Sequence, residues 1–308
     1  MKAVICTQYG PPEVLKIQEV DTPTPKANQL RIKVVSSAVN SGDVRVRGLK
    51  VQGILKLIMQ VVLGFSKPRK PILGTVFSGV VDAVGNNVTK FHIGDSVFGM
   101  TGFAFGTHAE YVIIKENSTV MPMPANATYQ EAAALVFGGH TAIDFLDKTK
   151  IADKPNKKVL IIGATGSVGV AAIQIAKQYT NDITAVCNTD GQHLVRALEI
   201  NNIIVYNKED FTKRTEKFDI IFDAVGYTSK QQCKSLLNKN GVYKNVNLGY
   251  VSENIKQLQQ LKTLFEKGAL KAVIDKTFSL DEIVEAHRYV DTGRKKGNVI
   301  LNIRDGVG

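Results

Sequence analysis

The chain of 308 residues has no tryptophan, three cysteines and nine prolines. Cys6, Cys187 and Cys233 lie far apart, so neither a four-cysteine structural zinc site nor a paired disulfide framework can be assembled from them, and a reducing cytoplasm fits. No apolar run reaches the ~20 residues a spanning helix needs. The most apolar stretch, Ile54 to Phe65, has apolar residues at helical spacing with lysines and an arginine around it. It reads as a helix or lid packed on the protein itself, with a membrane-surface helix as the alternative. The opening residues Met1 to Tyr9 are too short and mixed for a signal peptide and read as a first strand. Acidic residues are few, 28 against 39 basic, giving a formal charge of +11. That charge suits a phosphorylated cofactor or a polyanion. Against nucleic acid, no stretch alternates aromatic and basic residues. The 44% hydrophobic and 22% charged content is that of a globular protein and excludes collagen-like and low-complexity classes.

At ~150 residues per domain the length predicts two domains. Through residue 125 the sequence is rich in short β-branched runs, at Lys2–Cys6, Leu30–Val39, Gly79–Val84 and Glu110–Ile114. Turn signals such as Gly10-Pro11-Pro12, Ser41-Gly42-Asp43 and Gly94-Asp95 separate them, which predicts a barrel or sandwich without crossover helices. From Thr128 the texture changes. Thr128 and Glu131 make a capping box before an alanine-rich helix. Unbroken apolar runs then follow at Val159–Ile162, Ile183–Val186, Ile203–Tyr206 and Phe218–Phe222, with a weaker strand at Val242–Leu248. Helical segments are predicted between most of them, at Ser167–Tyr179, Gly191–Ile200 and Ser229–Leu237. Strands of this kind alternating with helices predict a doubly wound parallel sheet covered on both faces, hence an α/β protein. Two further helices follow, the second opened by a Ser279/Glu282 capping box and closed by Gly293. The last strand, Asn298–Ile303, is expected to return to the first domain.

The most informative segment is Val159–Lys177, VLIIGATGSVGVAAIQIAK. A buried strand runs into Gly163, Gly166 and Gly169, and a helix opens at Ser167. The unpaired amides and positive dipole end of such a helix hold a pyrophosphate. Gly166 lets backbone approach phosphate and Gly169 packs helix on strand. The cofactor-binding turn is therefore read as Ala164, Thr165, Gly166, Ser167, Val168 and Gly169. The second strand of the series ends in Asn188 and Thr189, where an NAD-binding protein carries an acidic residue for the ribose. Neutral side chains there do not repel a 2′-phosphate, which favours NADPH over NADH. Asp190 follows at once and reads as a helix N-cap.

Four segments together resemble the medium-chain dehydrogenase/reductase superfamily, in its zinc-free quinone oxidoreductase branch. They are Ala38–Gly48 (AVNSGDVRVRG), Gly74–Asp95 (GTVFSGVVDAVGNNVTKFHIGD), Gly163–Lys177 and Asp281–Asn302 (DEIVEAHRYVDTGRKKGNVILN). The resemblance implies a GroES-like substrate domain from residues 1–125 and 273–308, a Rossmann domain over 126–272, and a cleft between them. Dimers are common in the family. Zinc-dependent relatives place Cys, His and Cys at the metal, and the matching positions here are Asn40, Thr75 and Phe137. An amide, a hydroxyl and a phenyl ring cannot build zinc's N/S tetrahedron, so no metal is expected. His108 and His140 read as hydrogen-bonded structural residues.

Without a Lewis acid, simple alcohol oxidation is harder, whereas a quinone or an α,β-unsaturated carbonyl spreads the incoming charge to an oxygen that oriented donors can stabilise. The expected reaction is hydride transfer from NADPH to such an acceptor. Asn40, in the vacated metal-ligand position, is the candidate catalytic donor, with a turn role beside Ser41-Gly42-Asp43 as the alternative. Asp43 reads as structural. A tyrosine is frequent in the family near position 44, where this chain has Val44. The resemblance further nominates Thr141 for the nicotinamide and Tyr206 for the adenosine. It places Ala224, Val225 and Gly226, then Leu248 and Gly249, at later strand ends near the ribose or nicotinamide. The competing functions are a zinc-free reductase of another carbonyl or alcohol and a non-enzymatic protein that binds NADPH or nucleic acid.

Overall fold

The hairpin β1 (Lys2–Cys6) and β2 (Leu15–Glu19) is antiparallel and tied to the amino terminus. The computed structural model describes residues 1–49, 60–153, 156–248, 251–252 and 254–304. The next strand, β3 (Gln29–Val39), buries Leu30, Ile32 and Val34 on one face, the alternation that a half-covered sheet selects. Along one edge it pairs with β4 (Val76–Val84). Its other edge is shared, by β6 (Tyr111–Lys115) over Gln29–Lys33 and by β14 (Asn298–Asn302) over Ser36–Val39. With β5 (Ser96–Met100), β7 (Val120–Pro122) and β13 (Ile274–Ser279), the order is β13-β14-β3-β4-β5-β7, with β6 on β3. The last strand therefore does return to the amino-terminal sheet, as its sequence predicts.

This GroES-like β unit comprises Met1–Val136, Asn254–Lys262 and Ile274–Gly308. Its core joins residues from both ends of the chain, including Val4, Leu30, Phe77, Val97, Ile283, Val299 and Leu301. It contains a helix the sequence reading took for a turn, Ser41–Gly48. Asn40 caps it through a box with Asp43, because the residues that signal turns are the residues that cap helices. Of the apolar stretch Ile54 to Phe65, residues 60–63 are helical, with Leu63 buried and Val61, Val62 and Phe65 exposed; the earlier part lies outside the described residues.

The second unit, Phe137–Glu253 and Thr263–Val273, is Rossmann-like. Its sheet is parallel throughout, in the order β10-β9-β8-β11-β12. The strands are β8 (Val159–Ile162), β9 (Ile183–Cys187), β10 (Asn202–Val205), β11 (Phe218–Asp223) and β12 (Leu237–Asn245). Every residue of β8 and β9 is buried, as the unbroken apolar runs require of strands covered on both faces. The helix Ser167–Ala176 follows β8, and all ten of its residues are buried. The boundary between the units falls at Val136 and Phe137, within the helix Tyr129–Asp147 rather than at its start.

One predicted helix is absent. Over 229–237 the chain makes turns and a single 3-10 turn, Lys234–Leu236, before β12 begins at Leu237. Cys233 and Leu236 are buried three residues apart, the 3-10 repeat, and the strand starts five residues earlier than its apolar run indicated.

Candidate cofactor and acceptor site

The described cofactor candidates that follow the second unit's strands lie just beyond their carboxyl ends, where open parallel sheets bind ligands. Beyond β8, Gly163 adopts φ +75°, and its amide and that of Ala164 both donate to Val186 O at 3.1 Å. Ala164 is fully buried and shapes the turn from inside. Gly166 N donates to Gly163 O at 3.2 Å, closing the turn. The first intrahelical bond is Val170 N to Gly166 O at 2.9 Å, so the amides of Val168 and Gly169 precede it, and Gly166 brings no side chain to cap them. The two glycines differ in surroundings. A Cβ on Gly169 would lie 2.1 Å from Gly163 O, which is the close helix–strand packing its position predicts. A Cβ on Gly166 would meet nothing nearer than 3.7 Å, so space stands open in front of the helix.

Beyond β9, Asn188 spends its side-chain oxygen on Gly191 N at 2.9 Å, so it is Asn188, not Asp190, that caps the following turn. Thr189 is exposed and paired with Asn207: its amide donates to Asn207 Oδ1 at 3.0 Å and Asn207 Nδ2 donates to its hydroxyl at 3.0 Å. Asn207 lies one residue beyond Tyr206, which is 49% exposed after β10. Sequence reading overlooked Asn207, although its place at a strand end was a usable signal. Beyond β11, Ala224 is buried while Val225 is half exposed. Val225 leans over the glycine turn, since a Cβ on Gly163 would lie 2.5 Å from its Cγ1. Leu248, beyond β12, is exposed, and Gly249 lies outside the described residues. Thr141 is nearly buried on the helix Tyr129–Asp147, its hydroxyl donating to Phe137 O at 2.9 Å.

In the β unit, Asn40 and Thr75 come together. Asn40 Nδ2 donates to Thr75 Oγ1 at 3.0 Å, while its Oδ1 accepts from Gly42 N and Asp43 N at 2.8 and 3.2 Å. Asp43 Oδ2 accepts from Asn40 N at 2.9 Å, so the cap fixes the side chain from both sides. Burial pushes the Asp43 carboxyl up to about 7. Asn40 and Thr75 offer zinc neither thiolate nor imidazole, and Asn40's oxygen is already taken. Among the described residues no group of three or more His, Cys, Asp or Glu is placed to hold a metal ion. The residues present do not fit a tetrahedral zinc.

Behind Asn40 lies a buried polar cluster. His108 Nε2 faces Ala38 O at 3.2 Å and must carry the proton, leaving Nδ1 bare. His287 Nδ1 faces the Arg47 guanidinium at 3.2 Å and must accept, so its proton sits on Nε2. Both rings are neutral, and burial drives both pKa values down, that of His108 to about 4. Arg47, fully buried, also donates to Gly10 O at 3.1 Å and to Asp291 Oδ2 at 2.5 Å. Tight histidine packing at His108 thus backs the strand end that carries Asn40, in keeping with the structural role its sequence context suggests.

Comparison with known proteins matches this architecture. Residues 26–125 fit the profile described as "Alcohol dehydrogenase GroES-like domain", and residues 244–301 that of "Zinc-binding dehydrogenase". A 2-methylene-furan-3-one reductase of Solanum lycopersicum is 31% identical, over 98% of this chain and 79% of its own length. An NADPH-dependent alkenal/one oxidoreductase, chloroplastic, of Arabidopsis thaliana is 28% identical over the same shares. The solved quinone oxidoreductase from Coxiella burnetii superposes with a TM-score of 0.87 at 28% identity, covering 99% of each chain. The chain belongs to the medium-chain dehydrogenase/reductase superfamily, in its quinone oxidoreductase-like branch.

Proposed function

We propose that the protein is an NADPH-dependent, zinc-independent reductase that transfers hydride to a quinone or an α,β-unsaturated carbonyl. The observation that carries the reading is the free space at Gly166, beside the Val168 and Gly169 amides that precede the first intrahelical bond, just beyond a parallel strand. Relatives that reduce enones, alkenals and quinones favour these acceptors. When bound, NADPH supplies a hydride. The chain's own part is to hold it and to meet the charge that develops on the acceptor.

In this reading Thr165, Ser167, Val168 and Gly169 surround the phosphates. Thr189 and Asn207 face the adenosine ribose with Tyr206, and Val225 and Gly226 line the route toward the nicotinamide end with Thr141. The sheet places no carboxylate at Asn188 or Thr189 to repel a 2′-phosphate, which is the argument for NADPH. Asn40 uses one amide hydrogen on Thr75 among the described hydrogen bonds, and in this reading the second is the donor to the acceptor's oxygen. A donor held by a helix cap needs little reorganisation as charge develops. The three cysteines are buried and unpaired, which suits a reducing compartment.

The test is a fluorescence titration with NADPH and NADH, then steady-state rates with a quinone, an enone and an aldehyde. NADPH is expected to bind at least about tenfold tighter, ~1.4 kcal/mol, and the quinone or enone to outpace the aldehyde. Tighter binding of NADH would overturn the assignment made from Asn188 and Thr189.

A further inference from the structure

We infer that Asp223 is a positioning residue: its buried carboxylate sets the loop 224–228 at the height the cofactor requires. This rests on the cofactor reading above. Asp223 ends β11 and has no exposed surface. Its Oδ1 accepts from the amides of Val225 and Gly226 at 3.1 and 2.8 Å. Its Oδ2 accepts from the Thr228 amide at 2.6 Å, the Thr228 hydroxyl at 2.7 Å and, more distantly, Asn245 Nδ2 at 3.4 Å. A carboxylate alone among side chains presents about four acceptor sites and no donor, so it can gather converging N–H groups that an amide side chain would partly repel. A charge buried without such partners would be heavily penalised. The loop is wound round the carboxylate because that winding is what satisfies it.

Outer groups fix the same loop. Since the Thr228 hydroxyl proton points to Asp223, the Tyr243 hydroxyl donates to Thr228 O at 2.6 Å, and Asn245 Nδ2 donates to the same carbonyl at 2.7 Å. On the far side, Asn247 Nδ2 donates to Gly226 O at 3.2 Å. Gly226 takes φ +76°, and a Cβ there would stand 1.9 Å from Asn247 Nδ2. The loop is thus held between Asp223 inside and Asn247 outside. What this delivers is the position of Val225, whose side chain projects half exposed over Gly163 at the mouth of the phosphate turn. Loss of the carboxylate frees the Val225 and Gly226 amides, and the loop drifts relative to the turn without disturbing the strands, whose own core includes Leu160, Ile221 and Leu236.

The experiment compares wild type with Asp223→Asn, Thr228→Val and Thr228→Ser. Bound NADPH is read by its own fluorescence, which no tryptophan obscures. Asp223→Asn is expected to stay folded by circular dichroism and to bind NADPH about tenfold or more weaker. Its kcat at saturating NADPH and its KM for the quinone acceptor should stay within about twofold of wild type, a split a general loss of stability would not produce. Thr228→Val should weaken NADPH binding by a smaller factor, and Thr228→Ser, which keeps the hydroxyl, should restore it. If folded Asp223→Asn binds NADPH as wild type does, the inference fails. If Asp223→Asn does not fold, unchanged binding by Thr228→Val overturns it and weakened binding with recovery in Thr228→Ser supports it. Failure of the underlying cofactor reading has a different signature, since wild type itself would then bind neither NADPH nor NADH.

Discussion

Two glycines three residues apart in the glycine turn, Gly166 and Gly169, do different work, and substitution separates them. Gly166→Val places methyl groups in open space, so the folded protein should keep its melting temperature while NADPH binding falls by about tenfold or more. Gly169→Val drives a side chain into Gly163 O and Ala164, and a loss of about 1–3 kcal/mol or more in denaturant unfolding is expected before any question of binding arises. Equal effects of the two on stability would contradict the geometry. The ionisable residues behind Asn40 set a second measurable property. His108 is neutral in the fold with its pKa down at about 4, against 6.5 when unfolded. Its contribution is fully present above pH 6.5 and is lost as pH falls toward 4, by about 3 kcal/mol; His287 acts in the same direction. Asp43 runs the other way. Its carboxyl, raised from 3.8 to about 7, contributes stability below pH 3.8 that is lost as pH rises through 7. Between pH 4 and 6.5 the Asp43 slope offsets only one of the two histidine slopes, so wild-type stability should rise gently with pH there. Asp43→Asn, followed by urea unfolding across that range, should expose a stability that rises steeply with pH.

At the scale of elements, the parallel strands were legible because each is buried on both faces and so carries an unbroken apolar run, as in Val159–Ile162. The glycine turn was legible because its residues serve one local geometry. The helix at Ser41–Gly48 was not, since Asn40 and Asp43 signal a turn and a cap alike, and only the packing of Val44 and Val46 decides between them. Nor was the 229–237 connection, where Ser229 and Gln232 form a cap-like exchange that no helix follows. In the candidate site, the sequence nominates residues that present backbone and passes over those that hold that backbone in place. Asn207 and Asn245 act through partners distant in sequence, Thr189 and Thr228, whereas Asp223 gathers amides of the loop that directly follows it, a strand-end acidic residue whose role shows only once the loop's winding is seen. One buried helix illustrates the same point. Gln174 reaches across to residue 271, its Oε1 accepting from Lys271 N at 2.8 Å and its Nε2 donating to Lys271 O at 3.2 Å. Gln174→Leu keeps the volume but strands both groups, and a loss of about 1–3 kcal/mol in chemical denaturation is expected.

Across the whole molecule, the β unit depends on residues from both ends of the sequence. Fully buried Arg47 and partly exposed Asp291 form an ion pair inside it, and β14 fills the place beside β3. Among the described residues no helix is long and apolar enough to cross a membrane. Removing the Asp291 carboxylate leaves Arg47 buried with uncompensated charge, so Asp291→Asn should cost about 3–5 kcal/mol in the unfolding of the β unit. Hydrogen exchange at the β3 amides of Ser36–Val39 would report it, and unchanged protection would count against the clamp.

The partnership of Val39 with Val299 also orders events during synthesis. The ribosome must add every intervening residue before the upper half of β3 meets its neighbour, a wait on the order of tens of seconds at typical elongation rates. Throughout that interval an apolar ribbon with an open flank is presented to solvent or to a chaperone, while the centrally encoded parallel sheet can already condense. Slowed translation late in the message should therefore raise aggregation of nascent chains, by prolonging the time this flank stands unshielded.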